Sequence, residues 1–578
     1  MLIERTLASR AALALTALTV VTACTEGGSG TAGPRAVTPS STSPSAVDST
    51  PQATQPRTRT PLVVVVHPSR GRVRLTEAQA RALSDGTLAN WRDLGDAPAP
   101  LRVGSVREAR ADPDVVAVVP AGQVRPAVSV ATVDGVDPLR NPSAYALTVP
   151  GPPLPEVTTV TVTGDVMLGR RVGDRLAATA DPSAALRPMA RRLAGADLTI
   201  GNLESTLSKA GAPRQGGDSF GASPSVRAGL RLAGYDVLSL ANNHAGDYGP
   251  TALVETVRRV HAGGFVPVGA GADLERASKP VLVERNGVTF GIVAFDAIGE
   301  TPAARAGAPG ALRVRMAPRT GPLVQADLDR VTGIVRDLRS RVDVVMALPH
   351  WGTQYTHRTV RDQRLVARAL VDAGADLVVG GHPHRVQGVE TVRGGLVVYS
   401  LGNFVFDMDF MRKTQEGTVL ELTFWDGELK GSRLVPVVIG ADFAPRVAGG
   451  QRGDTFLDAV WKASGRQACA GTPSRSAAAR ISRWTRRGER PPVQTGTGPG
   501  APTRSRDTMA AGAVSSPRST RRTWSCEPKW CWSSPGPRGS SAPKSTNVTG
   551  RGVPVCLARR ASSITTATPL ALSSAPGA

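Results

Sequence analysis

From residue 157 to about 447, short apolar runs alternate with amphipathic stretches, and this alternation constrains the fold more than any other feature of the chain. The runs 157–163, 198–201, 237–240, 288–295, 342–348, 377–379 and 395–399 have strand length and are rich in Val, Leu and Ile. Between them, 184–194, 223–233, 250–262, 322–339 and 362–373 carry apolar residues at helical spacing. Repeated strand and helix units hide both apolar faces only by stacking in layers, so the spacing predicts a layered α/β fold. The stretch 417–439 predicts two or three antiparallel strands around the turn Asp426-Gly427.

What precedes this region divides into three pieces. Residues 1–24 read as an export signal: Arg5 and Arg10 supply positive charge, and an apolar stretch of small residues follows. It ends in Val21-Thr22-Ala23-Cys24, which resembles a bacterial lipobox and implies cleavage before Cys24 and a lipid on that residue. Residues 25–60, rich in Ser, Thr, Pro and Gly, are expected to be a disordered tether. Residues 61–155 are expected to be a small α/β accessory domain, with strands at 62–66 and 115–119 and a helix from 76 to 83 that Thr76 caps. Within it, Leu75 through Gly95 weakly resembles a fragment of periplasmic phosphate-binding-type proteins, too short for a two-lobed binder. The chain is therefore expected outside the cell, anchored to the membrane by lipid. No apolar run reaches the ~18 residues that a spanning helix needs, which excludes an internal membrane span.

From residue 465 the pattern collapses. Leu, Ile, Val and Phe number only 10 of the last 114 residues. Of the net charge of +22, +15 lies here, from 18 Lys/Arg against 3 Asp/Glu. The rest of the chain is close to balanced, so no nucleic-acid partner is expected on charge grounds. This basic low-complexity tail, 465–578, reads as out-of-frame sequence under no folding constraint. Four of the five Cys fall within it, the fifth being Cys24, so residues 25–468 hold no thiolate. Chemistry in the core must use imidazole, carboxylate and amide groups.

Those groups gather at predicted strand ends. Asp165 follows the run 157–163, and Asn202-Leu203-Glu204 follows 198–201. Asn242-Asn243-His244 and Asp247 follow 237–240, and His350-Trp351-Gly352 follows 342–348. Gly380-Gly381-His382-Pro383-His384 follows 377–379, its Pro stiffening the backbone between two His. Open α/β sheets bind ligands at the carboxyl ends of their strands. Oxygen and imidazole donors suit Mn, Fe, Zn or Mg. The remaining histidines, His67, His261 and His357, lie in no such setting, and no phosphate loop follows Gly269-Ala270-Gly271.

The motifs Gly164-Asp165-Val166-Met167-Leu168-Gly169, Asn202-Leu203-Glu204, Ala241-Asn242-Asn243-His244 through Asp247-Tyr248-Gly249, His350-Trp351-Gly352, Gly381-His382-Pro383-His384 and Ser400-Leu401-Gly402-Asn403-Phe404-Val405-Phe406-Asp407 together resemble the CapA family of capsule or poly-γ-glutamate synthesis proteins, over about 157–445. That family resembles calcineurin-like metallophosphoesterases, with a β-sandwich flanked by helices and a two-metal site at strand ends. The resemblance implies that Asp165, Glu204, Asn243, His350, His382 and His384 are metal ligands, with Glu204 bridging. It implies that His244 is the acid to the leaving group, held by Asp247. The phosphoesterase pattern has a His where this chain has Met167, which removes one ligand and leaves one or two divalent cations per site as the expectation. Trp351 and Tyr355 stand where they either line a substrate groove or pack beneath the loop; Asn403 and Asp407 are expected to be structural.

The function expected from these observations is capsule or poly-γ-glutamate biosynthesis with a metal-dependent hydrolase site. The substrate would be an anionic surface polymer or a phosphoester, handled alone or within a synthase complex. A non-catalytic polymer-binding or export subunit is the competing expectation. The tail makes its own prediction: no tryptic peptide from beyond Arg490 is expected in mass spectra of the native organism, and finding one contradicts the out-of-frame reading.

Overall fold

The computed structural model describes residues 58–470 apart from 72, 97 and 127. The export signal with Cys24, most of the tether and nearly all of the basic tail lie outside the described residues. Those described belong to one compact unit. Its body is a pair of sheets with helices on both outer faces, the layered α/β arrangement that the alternating pattern predicts.

The first sheet runs in spatial order Val266–Val268, Val237–Ser239, Leu198–Leu203, Val157–Val166, Glu416–Trp425, Glu428–Ile439 and Pro445–Val447, with Asn403–Val405 also paired to Val157–Val166. The strands before Val157–Val166 in that order are parallel to it; the hairpin of Glu416–Trp425 and Glu428–Ile439 is antiparallel. The second sheet runs Val281–Arg285, Val288–Asp296, Val344–His350, Leu377–Val379, Gly395–Val398 and Val389–Val392, parallel through its four central strands. Side chains alternate across each strand as the period of two requires. Val160, Val162, Ile200 and Val237 meet Ile292, Met346, Leu348 and Val379 between the sheets. The neighbouring positions face outward: Leu238 and Leu240 pack against Leu230 and Leu253 of the helices Arg227–Leu232 and Gly249–Ala262. Val345 and Ala347 pack against Val331, Val335, Val366 and Leu370 of Gln325–Arg339 and Arg361–Asp372.

Local chemistry moves some expected boundaries. The helix expected over 184–194 begins only at Arg187, because Pro188 lacks an N–H and is tolerated only in a first turn. Thr76 caps the helix Glu77–Ser84 as expected, in a capping box with Gln79. The body does not stop at 447. Helix Gly450–Ala470 continues it, with Val460 buried against the sandwich cluster and Ser464 Oγ accepting from the Val389 N–H at 2.8 Å. Its amphipathic pattern is short and enters the biased tail composition, which hid it.

The amino-terminal segment builds its own sheet around Arg59–Val66 and Val115–Pro120. It packs on the outer face of the first body sheet, where Trp425 Nε1 donates to Leu139 O at 2.8 Å. Beside this contact, Glu421 is buried under three guanidinium groups from three parts of the chain: Arg140 at 3.3 Å, Arg192 at 2.6 Å, and Arg433, its cross-strand partner. Burial would raise the Glu421 pKa, but Arg433, Arg192 and Arg140 override it and hold the carboxyl below its usual range. A depressed carboxylate contributes stability above its unfolded pKa and loses it as pH falls through the folded value. Glu421→Gln is expected to destabilise the chain by about 1–3 kcal/mol at neutral pH. Denaturant melts should show that cost shrinking as pH falls below ~4.

Candidate metal centre

The strand ends of both sheets meet at one edge of the sandwich. Val162 faces inward, so strict alternation would aim Gly164, not Asp165, at the sandwich. A register shift between Val162 and Asp165 inserts a bulge that re-aims the carboxylate inward. Gly164 is required there: a Cβ would lie 2.0 Å from Gly402 O. The ladder then sets Asp165 opposite Asn202 on one side and Asn403 on the other. In the second sheet, His350 lies opposite Asp296 and bridges Gly381. Two sheets thus present their functional residues from aligned strand ends.

Asp165, Glu204 and His350 offer donor atoms that all lie within 4.8 Å of one another, and all three residues are buried. Glu204 Oε1 lies 3.7 Å from His350 Nε2, 3.9 Å from His244 Nε2 and 4.0 Å from His384 Nε2. His384 Nδ1 lies 3.8 Å from Asp165 Oδ2. The backbone N–H of His382 donates to Asp165 Oδ2 at 3.1 Å, and the His382 ring stands 5.0 Å from that of His350. Asn243 Oδ1 lies 2.8 Å from His350 Nε2. The structure therefore brings Asp165, Glu204, Asn243, His244, His350, His382 and His384 into one pocket.

His382 and His384 sit in the left-handed region at φ 94 and 53. Such strain persists only where the surroundings over-determine it. Here Gly381 lets the loop close onto the carboxylate: a Cβ at that position would lie 2.5 Å from Asp165 Oδ1.

Side chains beyond the expected set orient the pocket. Asn202 donates to Asp165 Oδ1 at 2.8 Å, reaches His350 Nδ1 at 3.3 Å, and accepts from Asn242 at 2.9 Å. Asn403, expected to be structural, accepts at 2.9 Å from His384 Nδ1, which leaves His384 Nε2 as the free lone pair facing Glu204. His244 Nδ1 donates to Asp247 Oδ2 at 2.9 Å, and Asp247 also accepts from Phe220 N and Gln215 Nε2. His244 lies flat on Phe220, with centroids 3.6 Å apart.

Asp296 ends its strand beside His350 and pairs with Arg313 at 2.9 Å; no His or Asn follows it in sequence, so it carried no motif. Asp407 clamps Arg170, with contacts from both Nε and Nη2. Met167 is buried in the packing behind the pocket, its sulfur accepting from Gly169 N. Trp351 is fully buried, with Nε1 donating to Tyr399 O at 2.9 Å, so it packs beneath the loop and lines no groove. Tyr355 is half-buried, stacked on His384 and edge-on to the exposed Phe410.

The donor set suits a divalent cation. Glu204 Oε1, both ring nitrogens of His382 and Nε2 of His384 are buried with no hydrogen-bond partner. Burial pushes Asp165 up to about 6, against the hydrogen bonds from Asn202 and His382. Burial, then the charges of Asp165 and Asp247, raise Glu204 well above its usual range. Burial holds His350 and His382 well below theirs and takes His384 down to about 3. Neutral imidazoles beside crowded carboxylates are the ligand chemistry of a hard or borderline cation. His384, Glu204, His350, Asp165, Asn243 and His382 are the residues that would hold it.

Sequence comparison places the chain among capsule-synthesis proteins. The family described as bacterial capsule synthesis protein PGA_cap matches residues 159–408. The PGA biosynthesis protein CapA of Bacillus subtilis is 35% identical over 192 residues, 33% of this chain and 47% of that protein. The capsule biosynthesis protein CapA of Bacillus anthracis is 30% identical over 288 residues, 49% of this chain and 67% of that one. A probable polyglutamine synthesis accessory protein of Mycobacterium tuberculosis is 31% identical over 295 residues, 44% of this chain and 76% of that one. This chain thus spans about half the length of the B. subtilis protein.

Two substitutions test the geometry. Gly381→Ala should expel Asp165 from its place and strip metal from protein purified without chelator, as read by elemental analysis. Asn403→Ala should leave the fold intact and weaken metal affinity about 10–100-fold, because the tautomer of His384 is no longer fixed.

Proposed function

This chain belongs to the bacterial capsule synthesis protein family, and from that premise we propose that it serves capsule or poly-γ-glutamate assembly through a metal-dependent hydrolase site. The observation that carries this reading is the convergence of Asp165, Glu204, Asn243, His244, His350, His382 and His384 at one buried edge of the sandwich. A divalent cation held there would supply an activated water and polarise the attacked group. The chain's own residues do the rest. Asp247 accepts from the His244 Nδ1–H and would stabilise the imidazolium, so that Nε2 faces the pocket and, in that doubly protonated form, could give its proton to the leaving atom. Phe220 covers the flat side of that imidazole and keeps water from it. The substrate class is a γ-glutamyl amide or a phosphoester of an anionic surface polymer.

The same reading places the protein outside the cell, lipidated at Cys24 and tethered to the membrane, where it would meet a polymer-synthase complex. Its support is the lipobox-like sequence and the Ser/Thr/Pro stretch after it. Cys24→Ser is expected to move the protein from the membrane fraction to the medium.

A non-catalytic accessory role is the second reading. It is favoured by Met167, which takes the place of a ligand in the phosphoesterase pattern. One experiment separates them. Metal-loaded protein is assayed on γ-glutamyl oligomers and on a phosphodiester. His244→Ala should lower kcat by about 10²–10⁴-fold with metal content unchanged. Loaded protein that turns over neither substrate supports the accessory role instead.

A further inference from the structure

Beside the metal ligands stands a cation that none of the roles above uses. Arg170 opens the helix Arg170–Ala178 with a left-handed backbone, φ 41. Its guanidinium lies on the face of Phe220, 4.4 Å from the ring centroid, and the other face of Phe220 covers His244. It is also 6.0 Å from the ring of Phe406, which stands edge-on to His384 at 4.8 Å. Phe220 thus lies between Arg170 and His244, and Phe406 neighbours both Arg170 and His384.

Its hydrogen bonds divide into two kinds. Nε and Nη2 are taken by Asp407, a carboxylate that is almost fully buried and locks the plane of the guanidinium. Nη1 meets Asp218 at 2.8 Å, and that side chain is 76% exposed on the short turn Gly216–Asp218. One edge is therefore fixed by the core, and the other faces the solvent side under a surface carboxylate that is easily exchanged. An exposed ion pair of this sort contributes little by itself. A rigid guanidinium edge suits a planar carboxylate.

We propose that Arg170 is a specificity residue: its Nη1 edge binds a substrate carboxylate other than the group under attack, and Asp218 occupies that place until substrate displaces it. This rests on the reading of the site given above, and it narrows the substrate. Every γ-glutamyl amide is flanked by free α-carboxylates within a few bonds of the scissile carbonyl. A simple phosphodiester has no second anion to offer.

The test is binding, measured apart from turnover. A γ-linked glutamate pentamer and its α-methyl ester are titrated calorimetrically into the full-length chain at low salt. The acid should bind at least about tenfold more tightly than the ester, the scale of one charge-assisted hydrogen bond. Asp218→Asn should tighten the acid and leave the ester unchanged. Arg170→Gln should abolish the preference. Equal binding of acid and ester by the wild-type chain, no binding of either, or an unaltered preference in Asp218→Asn overturns the proposal. So does a preference that survives in folded Arg170→Gln. Should Arg170→Gln fail to fold with Asp407 left unpaired, Asp218→Asn decides alone. A chain that selects the acid through Arg170 but hydrolyses nothing contradicts the hydrolase reading and leaves this inference standing. Turnover without acid preference does the reverse.

Discussion

The bulge at Gly164 is the feature on which the site depends. Asp165 lies on a strand whose inward positions, up to Val162, are apolar and feed the sandwich core. Without the register shift the carboxylate would point at the outer helical layer and Gly164 at the pocket. The shift requires the backbone of Gly164 to lie against Gly402 O, where any side chain would collide. A single residue without Cβ therefore couples the packing of two strands to the aim of a metal-type carboxylate. Gly381 does the matching work in the second sheet, allowing the histidine loop to close over Asp165.

A pocket made this way concentrates groups that resist each other. Burial raises the pKa of Asp165 and of Glu204, the charges of Asp165 and Asp247 raise Glu204 further, and buried imidazoles are held neutral beside them. The surrounding packing must supply the restraint. Asn202, Asn242 and Asn403 provide it with amide groups, which orient without adding charge. The helices on the outer faces and the hairpin Glu416–Trp425/Glu428–Ile439 keep the strand ends in register. Rigidity is placed first in the backbone ladder and only then in the side chains that would face a substrate.

Much of this is legible in the sequence because strands and ligands share one code. A continuous apolar run ends, and a His, Asp or Asn follows at once; the strand Val344–His350 and the motif after Leu377–Val379 show it most clearly. The residues that escaped lack that signature. Asp296 ends its strand alone, and Arg170 opens a helix as one arginine among many. Asn403 was visible in a motif, but its task of orienting His384 depends on a pairing between strands far apart in sequence. Trp351 illustrates the reverse: its place next to a ligand histidine left both substrate contact and packing open, and strand alternation sends its side chain to the helical side of the sheet. Helix Gly450–Ala470 escaped because composition changes within it.

The central claim is that side chains from distant strand ends hold a cation in one place. Crystals of the full chain grown without chelator, with anomalous data collected on both sides of the Mn, Fe and Zn edges, test it directly. The account predicts an anomalous peak at bonding distance, ~2.0–2.3 Å, from Glu204 Oε1, His350 Nε2 and His384 Nε2. Clear density for those side chains with no peak among them, in crystals soaked with the same metals, would contradict it.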